Sequence, residues 1–342
     1  MKTKSEKNYG IELLRVISMI YVMLLHGLGR GGILSNAETG TMYYYVSWFL
    51  QVLAYPAVNI FALISGYVSY KDSKSGYNIR RYISLWLQVV FYDLIIAIIS
   101  NAIHPDLVAK KDILLTFFPV NKNMHWYFTA YTGLIILKPI LDGGVREIEN
   151  SKLFFFLTLI ILSIFDSFSN IFNMNDGYSL LWISILYVIG AIIKKEKIED
   201  KVSCKNAIVI ILVMHLFTYL WKVMYGRFIS VPLNLDGNFF VNKYNSPTIM
   251  LIGIAYVILF AKIRISEKFH GLISFFSKNC FSAYIINTNR FIYGYIIADL
   301  FVLNMDKKYI LILLIIYAVL FVVVSVLIDK LRDRLFKVFK IK

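Results

Sequence analysis

Two cysteines in 342 residues leave nothing from which to build a disulfide framework, and neither Cys204 nor Cys280 has a neighbour at metal-ligand spacing. Charge is scarce as well. Only 17% of the residues are Asp, Glu, Lys or Arg, against about a quarter in a soluble domain. The five histidines contain no pair at metal-ligand spacing, so no metal is expected. The chain has no internal repeat, no low-complexity stretch and no phosphate-cradling glycine loop. After the first apolar run there is no A-x-A-like cleavage site, so that run reads as a retained helix and not as a signal peptide.

What the chain has is hydrophobic length. Its residues are 58% hydrophobic and the mean hydropathy is +0.66. Ten apolar segments stand near 11–29, 44–70, 82–103, 125–142, 153–172, 178–193, 206–225, 247–262, 280–302 and 308–328. These predict an all-α polytopic membrane protein, with residues 1–342 forming one membrane domain. The net charge of +15 does not mark a nucleic-acid partner, because the basic residues lie between the apolar segments. With the N-terminus in the cytoplasm, 24 basic residues fall inside and 9 outside. An even number of spans then places both termini inside. The segment 329–342, "DKLRDRLFKVFKIK", reads as a basic cytoplasmic tail lying on the inner leaflet.

The first helix, "GIELLRVISMIYVMLLHGLGRGG" (10–32), carries two residues that are costly in hydrocarbon, Arg15 and His26. Eleven positions are three turns plus roughly 20°, so both project from one face, about 16 Å apart along the axis. A guanidinium grips phosphates bidentately, and a neutral imidazole abstracts a hydroxyl proton near neutral pH. A ligand with phosphates at one end and a reactive group some distance away, such as acyl-coenzyme A, matches both. Two plainer readings stay open: Arg15 snorkels or pairs with Glu12, and His26 is a buried histidine bonded to a carbonyl.

This R-x10-H pattern resembles the hallmark of the acyltransferase 3 family, membrane O-acyltransferases acting on surface glycans. Four further stretches are similar to its helices in the right order: "VNIFALISGYVSY" (58–70), "MHWYFTAYTGLIILKPIL" (124–141), "YNSPTIMLIGIAYVILF" (244–260) and "FSKNCFSAYIIN" (276–287). The resemblance implies a ten-helix bundle in the bacterial plasma membrane and an acyl-CoA donor, most simply acetyl-CoA, reached from the cytoplasm. It also implies an acceptor polysaccharide or lipid-linked glycan facing the outer side, and no bound cofactor. Within it, His26 becomes the catalytic base, and Arg15 with Arg80 or Arg81 holds the donor. Glu12, Ser65, Gly66 and Tyr67 become supporting residues. Two departures stand out. The arginines of "NIRRYISLW" are adjacent, with Ser84 where a later one would fall, and Asn287 stands where many members have histidine.

Other positions carry paired readings. His125, Trp126 and Tyr127 open the fourth segment as an aromatic belt or as an acceptor-binding surface. Ser65-Gly66 suits close helix packing as well as ligand approach. Asn287, Asn289 and Arg290 make a polar network, and Asp93 or Asp166 could hold a histidine tautomer. Without a G-x-S-x-G elbow an acyl-serine step is not indicated, and direct transfer in a ternary complex is the simpler scheme. The rival class is a transporter or flippase for lipid-linked sugar, with Arg15 on pyrophosphate and His26 relaying protons.

Overall fold

Where no water can satisfy its backbone, a chain must pair it within helices or within a closed barrel, and unbroken apolar runs of this length favour helices. The computed structural model describes residues 7–71, 79–120, 124–148, 152–225, 228, 240–304 and 308–338, and among these there is no strand. The principal helices are α1 (Tyr9–Gly29), α2 (Met42–Ala54), α3 (Ala57–Ser69), α4 (Ile79–Ile103), α5 (Trp126–Glu147), α6 (Lys152–Ser169), α7 (Leu180–Lys195), α8 (Cys204–Met224), α9 (Pro247–Lys262), α10 (His270–Asn279), α11 (Phe281–Thr288) and α12 (Ile310–Val338). All ten apolar segments carry helix. Among the described residues five stretches are long and apolar enough to cross a membrane: α1, the joined α2–α3, α4, α8 and α12. The pair α9 with Glu267–Thr288 makes a sixth if counted together, but it is bent by 118°.

Two segments expected as single helices are broken, each for a local reason. In 44–70 the break falls at Pro56, which has no N–H to continue the ladder. In 280–302, Asn289 leaves helical dihedrals (φ −59°, ψ 135°), and its side-chain oxygen accepts the N–H of Phe291 at 3.1 Å. A side chain that offers the backbone another partner ends a helix in this way. At the other end of the chain, α12 runs without interruption through Asp329 to Val338, so the basic segment begins as its direct continuation.

α1 sits at the centre, in contact with α2, α3, α9, α10, α11 and α12. Its start is fixed by Asn8, whose side chain accepts from Ile11 N–H at 3.1 Å and donates to the Ala261 carbonyl at 2.8 Å. α3 and α7 cross most closely. Gly66 lies against the Tyr187 carbonyl and Gly190 against that of Leu63, where an added Cβ would collide with backbone. α7 is only 16 residues, about 24 Å, and is buried on nearly every side, the signature of a core helix. α8 and α12 instead present Leu212, Leu216, Ile316 and Leu320 outward.

Candidate active site

α1 positions the two residues of its ionisable stripe in different cavities. Arg15 opens into one of about 560 Å³, between α1, α3, α4, α5 and α10. Among the described residues four more cations line it, Lys7, Arg81, Lys138 and Lys278, against a single carboxylate, Glu12. Glu12 is buried; it accepts Arg15 Nη1 at 2.8 Å and lies 3.7 Å from Lys7 Nζ. Ser277 donates to the same carboxylate and accepts from Arg15 Nη1 at 3.1 Å. One edge of the guanidinium is therefore fixed. Among the described residues no partner takes Nε or Nη2, so the other edge is free for a phosphate. Lys138 is paired with Asp142, which also accepts the Tyr187 hydroxyl at 2.7 Å.

His26 borders a second cavity, of about 720 Å³. Its Nδ1 lies 2.5 Å from Asn287 Oδ1, and Asn287 Nδ2 donates to the Tyr317 hydroxyl at 3.0 Å. An amide oxygen only accepts, so Nδ1 carries the proton and Nε2 is left as the base. Tyr293 packs edge-on against the imidazole, with centroids 5.3 Å apart. The cavity wall is aromatic: Trp126 meets Tyr178 at 4.7 Å and stacks with Tyr244 at 6.2 Å, and Tyr244 stacks with Tyr55 at 4.6 Å. Tyr244 is held from behind, since Asn59 donates to its carbonyl at 2.8 Å and accepts from Trp182 Nε1 at 3.1 Å. Gln51 Oε1 and Trp48 Nε1, on residues that line the cavity, are buried with no hydrogen-bond partner among the described residues.

Aromatic rings stand between the two spaces. Tyr127 and Phe281 face the Arg15 cavity and Tyr284 the His26 cavity. The Tyr127 N–H donates to the Tyr284 hydroxyl at 3.1 Å.

The structure separates several residues that the sequence groups. Arg81 lines the Arg15 cavity; Arg80 is exposed and does not. Ser65 lines it too, with its hydroxyl turned to the Phe61 carbonyl at 2.9 Å. Gly66 faces α7, and Tyr67 donates to Glu199 at 2.7 Å beneath Lys194, away from both cavities. Of the triplet 125–127, Trp126 reaches the His26 cavity, Tyr127 the other, and His125 neither. His125 is fully buried, with Nε2 3.1 Å from both oxygens of Asp93 and Nδ1 2.6 Å from Thr288 Oγ1. Arg290 and Asn287 do not share a network: Arg290 forks onto Asp112 at 2.7 and 3.1 Å, on the short helix Lys110–Leu115, and holds that carboxyl below its ordinary range. Asp166 serves a structural turn, accepting from Phe172 N–H and Asn245. Ser277, Tyr317 and Thr288 were not legible as site residues; for Thr288 the signal is the polar run "NTN" (287–289) in an apolar helix.

No curated protein and no solved structure matches the chain. The family model described as an acyltransferase domain, that of the acyltransferase 3 family, matches residues 8–330. That match spans nearly the whole chain and contains both Arg15 and His26, so the protein belongs to the acyltransferase 3 family of membrane acyltransferases.

Proposed function

We propose that the protein is an O-acyltransferase of the bacterial plasma membrane that moves an acetyl group from cytoplasmic acetyl-CoA to a hydroxyl of a cell-surface or lipid-linked polysaccharide. One observation carries this reading: one helix holds a half-free guanidinium in a cation-rich cavity and a bare imidazole nitrogen in a separate aromatic one. Among the described residues, five cations against one carboxylate suit the phosphates of coenzyme A. Aromatic rings and unpartnered amide and indole groups suit a sugar, which presents apolar faces and hydroxyl edges.

In this scheme Arg15, oriented by Glu12 and Ser277, holds the donor phosphates with Arg81, and the pantetheine arm carries the thioester past Tyr127 and Tyr284. His26 Nε2 takes the proton of the acceptor hydroxyl, and Asn287 keeps the ring in the required tautomer. The acceptor oxygen bonds to the acyl carbon, the carbon–sulfur bond breaks, and the proton leaves with coenzyme A as its thiol. Ten spans, with both termini in the cytoplasm, would put the Arg15 end of α1 on the donor side.

Purified protein in detergent, mixed with acetyl-CoA, tests the reading through release of free coenzyme A. Wild type releases it slowly without acceptor. Arg15→Ala is slower at subsaturating donor and recovers when donor is raised, whereas His26→Ala sustains no steady-state turnover at any donor concentration. Folded wild type that neither binds nor cleaves acyl-CoA, or that moves lipid-linked sugar without consuming it, would overturn the assignment.

A further inference from the structure

The His26 reading uses one histidine, yet a second, His125, lies behind the wall of the same cavity and meets one of its lining residues. Thr288 lines that cavity with His26, and its Oγ1 lies 2.6 Å from Nδ1 of His125. Behind it, His125 Nε2 faces Asp93, and Asp93 also accepts from Asn289 Nδ2 at 2.7 Å. Asp93 and His125 are both fully buried. A carboxylate can only accept, so Nε2 bears the proton in the neutral ring and Nδ1 is a lone pair aimed at Thr288. The Thr288 hydroxyl has two acceptors in reach, this nitrogen and the Tyr284 carbonyl at 2.7 Å. A hydroxyl against an imidazole that a buried carboxylate orients from behind is the arrangement that makes a weak nucleophile reactive. Three consecutive residues at the end of α11 build both units: Asn287 sets His26, Thr288 meets His125, and Asn289 steadies Asp93.

We propose that Thr288 is a nucleophile that carries the acyl group between donor and acceptor. The proposal rests on the assignment of acyl-CoA as donor and of His26 as the base for the acceptor, and it places one step before theirs, in place of direct transfer. Thr288 Oγ1 bonds to the thioester carbonyl carbon while its proton passes to His125 Nδ1. The carbon–sulfur bond breaks, and the proton moves from His125 to the leaving sulfur, giving coenzyme A thiol and a threonyl ester. Asp93 offsets the charge on the imidazolium while it exists. In the second step His26 takes the acceptor's proton, the acceptor oxygen bonds to the acyl carbon, and the carbon–Oγ1 bond breaks. The proton returns from His26 to Thr288. No oxidant, reductant or further reactant is needed, and the two histidines serve one half-reaction each.

Full-length protein is mixed with radiolabelled acetyl-CoA, quenched in acid, and digested for mass analysis of the peptide containing Thr288. The expected result is one acetyl group on Thr288, in greatest yield in His26→Ala, where the second step is blocked. Thr288→Val should lose transfer by at least about a hundredfold and take no label, and Thr288→Ser should recover both. The serine variant guards against a fold lost with valine, and the His26→Ala adduct is read with Thr288 intact. Absence of an adduct in His26→Ala, with Thr288→Val as active as wild type, overturns the covalent step and leaves direct transfer by His26. Wild type that never releases coenzyme A overturns the donor assignment and this step with it.

Discussion

A neutral imidazole has one nitrogen that donates and one that accepts, and in His26 a single neighbour, Asn287, sets which is which. Asn287→Ala should lower kcat about 10- to 100-fold with the KM for acyl-CoA unchanged, because the base loses its orientation while the donor cavity is untouched. Asn287→Asp keeps the acceptor and adds negative charge, which favours the imidazolium. Its activity should therefore fall off at a higher pH than wild type as the medium is acidified, a displacement that a purely structural role would not produce. Steady-state rates of coenzyme A release across pH measure both.

At the scale of elements, the site depends on how closely helices approach. The α3–α7 crossing works because neither Gly66 nor Gly190 presents a Cβ to the other helix's carbonyls. Gly66→Leu should force the helices apart and cost about 1–3 kcal/mol, seen as a lower thermal midpoint in detergent, although Gly66 touches neither cavity. A second junction joins α4 to α12. Buried Asp329 accepts from Gln88 at 2.8 Å, from Tyr92 at 3.0 Å and from Arg332 at 2.7 Å. Asp329→Ala leaves Arg332 without its carboxylate and should destabilise the protein by about 3–5 kcal/mol, read from the same melting curve. Since Gln88 also lines the Arg15 cavity, donor affinity should weaken with it.

Across the whole molecule, lipid-facing helices surround a buried centre. The arrangement follows from how much of each helix is polar or small: α8 and α12 carry exposed leucines and isoleucines, while α3 and α7 carry the glycines that allow close packing. The proposed orientation makes a labelling prediction. Native Cys204 is exposed at the start of α8 and should resist an impermeant maleimide in intact cells, reacting only after permeabilisation. In a Cys204→Ser background, Ser35→Cys, at the rim of the His26 cavity, should be labelled from outside. The reverse pattern would invert the topology and place the donor cavity away from cytoplasmic acyl-CoA.

The sequence by itself determined that the chain is helical, where its apolar segments lie, and that Arg15 and His26 share a stripe, because those depend only on local hydrophobicity and on 3.6 residues per turn. The Glu12–Arg15 pair was legible for the same reason, being one turn long. Tertiary structure alone decided the rest. It turned Tyr67 and Gly66 away from the cavities, chose Arg81 over its neighbour, split Trp126 from Tyr127, and buried His125 against Asp93, 32 residues away. It also brought Asn287 to His26 across 261 residues. Periodicity says which face of a helix a residue occupies, but not which other helix that face will meet. That depends on packing, and packing is where the site was made.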